Sequence, residues 1–125
     1  MTAQVLVYLG STVLALWGVT HLIPTRTIVR SFGAISRDNA LVLTMEWVAE
    51  GVTHLFVALL AVLVTAIAGA DASASIVVYR TAAGFLVAIA ALTTVTGART
   101  PGVWYRICPV LLCSVAVLYV IASVV

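Results

Sequence analysis

Long apolar runs separated by short polar stretches are the dominant pattern along this chain. Four runs cover residues of about 4–23, 41–69, 75–97 and 103–125. Each run reaches the roughly 20 residues that a helix needs to cross the hydrocarbon core of a bilayer. Short connections make consecutive spans antiparallel. The pattern therefore predicts an all-α integral membrane bundle of four antiparallel transmembrane helices, forming one domain over residues 1–125.

A second, shorter helical pattern lies between the first two runs. Over residues of about 26–37, Ile28, Phe32 and Ile35 fall on one face of a helix, whereas the arginines fall on the other. This arrangement predicts a short interfacial helix on the cytoplasmic leaflet, with its arginines directed at anionic lipid headgroups. An irregular basic loop is the alternative, because Gly33 lowers helix stability by about 1 kcal/mol relative to alanine.

Composition narrows the class of protein further. The chain is 64% hydrophobic and 8% charged, which excludes an ordinary soluble domain and makes membrane lipid an expected partner. Its basic residues are six arginines, and lysine is absent from the sequence. The arginines flank apolar spans and do not form a solvated basic face, so nucleic acid is not an expected partner.

The arginines also predict the orientation of the bundle. The first and third connections contain or adjoin Arg26, Arg30, Arg37, Arg99 and Arg106, and only Arg80 belongs to the other side. By the positive-inside rule, the arginine-rich connections face the cytoplasm and both chain termini lie on the non-cytoplasmic side. We therefore expect a multi-pass protein of the inner or plasma membrane with this orientation.

Three ionisable side chains interrupt the second span at steps of four residues. Glu46, Glu50 and His54 share one helix face. An ionised side chain near the bilayer centre costs about 2.5–3.5 kcal/mol on insertion scales, so these groups need partners or a function. Arg106 and His21 lie near the same membrane face, and an Arg106–Glu46 pair would serve the architecture. Glu50 has no arginine at its depth, and such a carboxyl suits general acid–base work.

The pentapeptide Gly-Val-Thr-His-Leu occurs twice, at 18–22 and 51–55. Its glycines allow a neighbouring helix to approach closely, and its threonines can bond to their own helix or across to another. Counting residues from the ends of the spans places His21 and His54 about two helical turns apart in depth. That separation argues against a haem held between the two histidines.

A small membrane enzyme is the function that these residues favour. It would transfer protons on a lipid-like or isoprenoid-type apolar substrate in a pocket that opens to the cytoplasm, by isomerising a double bond or opening a strained ring without a cofactor. The expected acid–base residues and their support are Glu50, His54, His21 and Glu46. The expected substrate-binding residues are Trp17, Trp47, Thr53, Trp104, Tyr105 and Arg106. An interfacial aromatic belt is the alternative role for Trp104.

A metal site is a less favoured alternative. Glu50 and His54 have a spacing that suits metal ligands, and His21 or Glu46 would complete a set of two histidines and one carboxylate, or its equivalent. However, the paired Glu-x-x-His pattern of di-iron bundles is absent from the sequence. The enzyme interpretation therefore assigns no cofactor and no metal ligands.

Two further classes of function remain open at this point. The first is a proton-coupled small transporter, since a membrane carboxyl in a four-span chain resembles the small multidrug exporters, although the carboxyls lie here in the second span. The second is a non-catalytic membrane subunit or scaffold, in which the polar groups hold the bundle and a partner together. Gly84, Ala88 and Ala91 form a seam of small residues on the third span, which would permit a homodimer.

Overall fold

The computed structural model describes residues 2–125, and these fold into helices joined by short turns. The helices are α1 (Thr2–Leu22), α2 (Thr25–Ser31), α3 (Arg37–Ala68), α4 (Ser73–Val95) and α5 (Val103–Ala122), with a 3-10 turn at Gly97–Arg99. Helices α1, α3, α4 and α5 are each long and apolar enough to cross a membrane. The predicted all-α bundle of four spanning helices, with a short helix between the first and second, is confirmed.

Helix α2 is shorter than the predicted helix of about 26–37. It ends at Ser31, and Gly33 follows with a φ of 78°, a left-handed conformation that stops a helix and that glycine adopts at little cost. Ser36 then begins the next helix, because its Oγ accepts a hydrogen bond from the backbone N–H of Asn39 at 3.2 Å. Helix α3 consequently starts before the predicted apolar run and reaches 32 residues.

The four long helices form a bundle that is open along one side. Helix α1 packs against α3 and α5, and α4 packs closely against α5, whereas α3 and α4 contact each other only sparsely. Helix α2 lies against α3 at one end of the bundle, which we call the α2 end. The other end, where α3 turns into α4, is called the opposite end.

Buried hydrogen bonds close the bundle towards the opposite end. The Tyr119 hydroxyl bonds Ser11 Oγ at 2.9 Å and so joins α5 to α1. Thr65 Oγ1 donates to the Ala61 carbonyl and lies 2.5 Å from the Tyr79 hydroxyl, which therefore donates to Thr65 and joins α4 to α3. Because both tyrosines are fully buried, this half of the bundle is packed and satisfied.

The Tyr79 hydrogen bond provides a prediction for stability. Tyr79→Phe should lower the free energy of unfolding by about 1 kcal/mol, because the buried Thr65 oxygen loses its donor. Unfolding by a denaturing detergent, followed by circular dichroism, measures the change. Tyr8→Phe is the matched control, since Tyr8 lies exposed on α1. Equal stability of the two variants would contradict this account of the opposite end.

The expected seam on α4 lies on the outside of the single chain. Ala88 and Ala91 are exposed, and a Cβ added to Gly84 would meet no atom within 4 Å. No helix in the part of the chain that the structure describes covers this seam. The homodimer through these residues stays a prediction.

Candidate functional site

The site begins where α1 and α3 cross. A Cβ on Gly18 would lie 2.8 Å from the carbonyl oxygen of Gly51, and a Cβ on Gly51 would lie 2.9 Å from the carbonyl oxygen of Gly18. Each glycine therefore packs directly on the backbone of the other helix. The expectation that the two glycines permit a close helix approach is confirmed, and the two copies of the pentapeptide pack on each other.

This crossing also brings the two histidines together. In each pentapeptide, histidine follows glycine by three residues and so lies on nearly the same helix face. As a result, the Cβ positions of Gly18 and Gly51 lie 3.2 Å from His54 Cβ and 2.9 Å from His21 Cβ, respectively. The two imidazole rings meet edge to face with their centres 5.3 Å apart.

The predicted separation of His21 and His54 by about two turns in depth is therefore wrong. The prediction counted residues from the ends of the spans and treated those ends as level. Helix α3 has 32 residues and α1 has 21, so the ends of the two helices do not define a common level. The glycine crossing sets the register between the helices, and it places both histidines at one height.

Glu50 completes a cluster with the two histidines. Its Oε1 lies 3.8 Å from His21 Nε2. One nitrogen or oxygen atom from each of His21, Glu50 and His54 lies within 4.8 Å of the others. Both histidines are buried, and the Glu50 side chain is 33% exposed. We call these three residues the triad, and they combine two imidazoles with one accessible carboxyl.

Hydrogen bonding determines which nitrogen of His21 faces Glu50 with a lone pair. Nδ1 of His21 lies 3.0 Å from the Trp17 carbonyl oxygen. Since a carbonyl only accepts, Nδ1 must donate and carry the proton of the neutral ring, which leaves a lone pair on Nε2. The imidazole of His21 is thereby oriented with its free nitrogen towards Glu50.

Aromatic side chains fix the position of His21 on several sides. The Trp47 ring stacks on the imidazole at 4.9 Å, and its Nε1 donates to the His21 carbonyl at 2.7 Å. The edge of Trp17 meets the same imidazole at 5.4 Å, and Tyr105 of α5 contacts Trp47 at 5.9 Å. These contacts join α1, α3 and α5 around the triad and restrict its motion.

The triad lies on the wall of a cavity of about 860 Å³ at the α2 end. Nine of the residues expected to form the site line this cavity: Glu46, Glu50, His54, His21, Trp17, Trp47, Thr53, Trp104 and Tyr105. Their roles in catalysis and binding stay predictions. Glu46 is exposed near the rim, and Trp104 is 65% exposed there.

Arg106 is the expected site residue that the structure places elsewhere. It lines a separate surface depression with Pro109 and Cys113. Tyr105 faces the cavity, and the next residue on a helix points about 100° away. The expected pair between Arg106 and Glu46 is also not formed, since within residues 2–125 the ion-pair contact is that of His21 with Glu50.

Sequence reasoning missed two walls of the cavity. Ile28, Val29 and Phe32 of α2 line it, although the apolar face of this helix was expected to lie on lipid. An amphipathic pattern is the same whether the apolar side meets lipid or an internal cavity, so the sequence held no signal to separate the two. The second missed wall is the apolar part of α4, with Phe85, Ile89 and Leu92.

Exposed residues line the cavity on both sides of the sparse contact between α3 and α4. Three residues there line the cavity and are exposed: Ala49 of α3, and Phe85 and Leu92 of α4. In a membrane this surface would face the hydrocarbon chains of lipids. The geometry therefore offers an apolar molecule a route from the bilayer to the triad.

Fold and site together define a class of protein. The four apolar helices are compatible with a multi-pass membrane protein, and its bundle contains an apolar cavity with a His–Glu–His cluster on the wall. The sequence and the fold match no protein-family model, no curated protein and no solved structure.

Proposed function

We propose that the protein is a small membrane enzyme that transfers protons on a lipid-like or isoprenoid-type apolar substrate. The observation that carries the proposal is the placement of Glu50 and two histidines on the wall of an apolar cavity whose lining is exposed between α3 and α4. In the orientation that the arginines favour, the α2 end faces the cytoplasm and both termini lie outside.

The size and lining of the cavity support an apolar substrate. Its volume of about 860 Å³ falls within the range of roughly 300–1,000 Å³ that is typical of small-molecule sites. Apolar and aromatic side chains make up most of its wall, and its carboxyls and imidazoles are those of the triad and of Glu46, one helical turn from Glu50. Such a site binds a hydrocarbon chain along the apolar wall and orients one reactive group towards Glu50.

The triad supports proton transfer in particular. A carboxyl beside an imidazole can remove a proton from one carbon of the substrate and return a proton to another carbon, so that a double bond moves. The same pair can protonate the oxygen of a strained ring while water adds to carbon. Oε1 of Glu50 and Nε2 of His21 are 3.8 Å apart, and His54 belongs to the same cluster. Neither reaction consumes a co-reactant other than water.

The closed opposite end weighs against the transporter. A transport path would have to pass the buried Tyr79 and Tyr119, whose hydroxyls bond to neighbouring helices. A purely structural subunit, for its part, gains nothing from a large cavity beside its buried histidines, since filled cores are more stable than hollow ones. The enzyme is therefore the function that this geometry supports best.

Product analysis tests the enzyme directly. The purified full chain in lipid vesicles is incubated with farnesol and with an epoxide of oleic acid, and the extracts are analysed by chromatography and mass spectrometry. We expect an isomer of equal mass from the first or a hydrated product from the second. Probes that cross the vesicle membrane chemically unchanged, in response to a proton gradient, would favour the transporter instead.

Blocking the side opening should weaken binding of an apolar chain at least about tenfold, equivalent to 1.4 kcal/mol. The change is the double substitution Ala49→Phe with Thr53→Phe. It places two bulky rings on the part of α3 that lines the cavity at the opening. A fatty acid brominated in mid-chain reports binding, because it quenches the fluorescence of Trp17 and Trp47 on contact. The parent and the blocked protein both carry Trp104→Phe, so that the exposed tryptophan does not contribute to the signal.

A matched pair of substitutions controls for the added bulk. Ala66→Phe with Thr12→Phe makes the same two changes at exposed positions of α3 and α1 that do not line the cavity and lie outside the seam on α4. These variants should quench as the parent protein does. If blocked and control proteins bind the brominated chain equally well, the chain does not enter through the gap between α3 and α4.

A further inference from the structure

We propose that the triad is also a binding site for a divalent transition-metal ion, with one nitrogen from each of His21 and His54 and a carboxylate oxygen from Glu50 as ligands. This inference goes beyond the proposed function, because ion binding is a property of the protein without substrate. A bound ion would occupy the lone pairs of Glu50 and His21 that proton transfer uses, so ion binding and proton transfer are alternative uses of the triad. It rests on the geometry of the three side chains, the state of each lone pair and the chemistry of the ligand set.

The distances within the triad suit a shared ion. Imidazoles that bind one zinc ion through bonds of about 2.1 Å have ring centres about 5 Å apart, and those of His21 and His54 lie 5.3 Å apart. Ligand atoms around such an ion are separated by roughly 3.4 Å, and the observed separation of His21 Nε2 from Glu50 Oε1 is 3.8 Å. The ligand atoms of the triad lie within 4.8 Å of one another, so side-chain movements of roughly 1 Å would bring them to the separation that a shared ion needs.

The two histidines are prepared for this role before any ion binds. The bond from His21 Nδ1 to the Trp17 carbonyl leaves the Nε2 lone pair free. A ligating histidine in proteins almost always donates its other nitrogen in this way, which fixes the ring and makes the ligand more basic. Stacking of Trp47 on the same ring holds its orientation further.

His54 provides the second, independent observation. It is 1% exposed, it lines the cavity, and its imidazole makes no hydrogen bond with any residue from 2 to 125. In particular, Nδ1 is fully buried without a partner. Native proteins rarely leave a buried polar atom unsatisfied, and an unmatched imidazole beside another histidine and a carboxyl is available to bind an ion.

The ligand set indicates the kind of ion. Two imidazoles and one carboxylate suit zinc or ferrous iron, whereas calcium and magnesium prefer sites made of oxygen atoms. Three protein ligands also leave a coordination position open, as in catalytic zinc sites, and all three residues of the triad line the cavity. An ion held there would act as a Lewis acid on the polar end of a bound molecule.

Titration with Co²⁺ and Zn²⁺ tests the inference. The full chain in detergent, freed of metal by dialysis against a chelator, is titrated with Co²⁺ while visible absorption is recorded, and Zn²⁺ is then added in competition. We expect one ion per chain, visible bands of a four- or five-coordinate Co²⁺ site, and their loss as Zn²⁺ displaces Co²⁺. Glu50→Gln and His54→Asn should each weaken binding at least about 100-fold.

Glu46→Gln is the matched control. Glu46 lies one turn from Glu50 on the same helix face and lines the same cavity, but it is not part of the triad. This variant should keep the affinity of the parent protein, provided that helicity by circular dichroism is unchanged in all samples. Absence of a one-to-one site in the parent, or equal losses in Glu46→Gln and Glu50→Gln, would overturn the metal site.

The result is distinguishable from a failure of the proposed function. Ion binding is measured without any substrate, and the product analysis is made with chelator present and with chelator absent. If the protein converts a probe equally well in both conditions and binds no ion, the enzyme proposal stands and the metal site is disproved. If the protein binds one ion through the triad but alters no probe, the metal site stands and the enzyme proposal loses its support.

Discussion

Gly51→Ala should lower the free energy of unfolding by about 1–3 kcal/mol, the usual cost of forcing an extra methyl group into a packed interior. The new Cβ would lie 2.9 Å from two atoms, the Gly18 carbonyl oxygen and His21 Cβ. Neither is the free end of a flexible side chain, so the strain can be relieved only if α1 and α3 separate. The same movement would draw His21 away from His54 and weaken the triad.

Gly84→Ala is the matched control for this prediction. The change is identical and also lies within a spanning helix, but the added Cβ meets no atom within 4 Å. The control should be as stable as the parent or slightly more stable, since alanine favours a helix over glycine. Unfolding in a denaturing detergent, followed by circular dichroism, compares the two. Equal stability of the two variants would mean that the glycines are not the point of contact between α1 and α3.

The spanning helices could be predicted from sequence because their signal is local. An apolar run of 20 residues or more has few other structures available to it in a bilayer, and all four runs became helices within a few residues of the expected bounds. The predicted start of α3 was less accurate than the other bounds. It depends on Ser36 as a cap and on Gly33, which are single residues and carry a weaker signal than a long apolar run.

The composition of the site could be predicted in part, but its internal geometry could not. A ladder of polar side chains on one helix face indicates where a polar cluster lies, and Glu46, Glu50 and His54 do reach one cavity. The meeting of His21 with His54 depends on the register between two helices. The repeated pentapeptide carried that information, since two copies of one packing motif can pack on each other. The prediction instead took the depth of each histidine from the ends of its span.

Arg106 illustrates a limit that simple helical geometry would have revealed. Trp104, Tyr105 and Arg106 are consecutive, and three consecutive helix residues spread over about 200°. They could not all line one pocket, and the structure turns Trp104 and Tyr105 towards the cavity and Arg106 away from it. The contribution of α2 differs in kind, because no property of its sequence distinguishes a lipid-facing from a cavity-facing surface.

Glu50→Gln should reduce turnover of any substrate of the proposed enzyme at least about 100-fold, the lower part of the range that general acid–base groups contribute. Glutamine has the size and shape of glutamate, but it can neither carry the negative charge nor exchange a proton with His21 or the substrate. Because Glu50 is 33% exposed in a cavity with room around it, the exchange should leave the fold intact.

The kinetic pattern separates a chemical role for Glu50 from a structural one. Quenching by the brominated fatty acid should be unchanged in Glu50→Gln, so that kcat falls while binding of the chain persists, because the apolar walls and not the carboxyl hold the hydrocarbon. Asp71→Asn makes the same chemical change in the exposed turn between α3 and α4, remote from the cavity, and should keep full turnover. A fall in chain binding that matches the fall in turnover would assign Glu50 to the architecture of the cavity, and unchanged turnover in Glu50→Gln would remove it from the reaction.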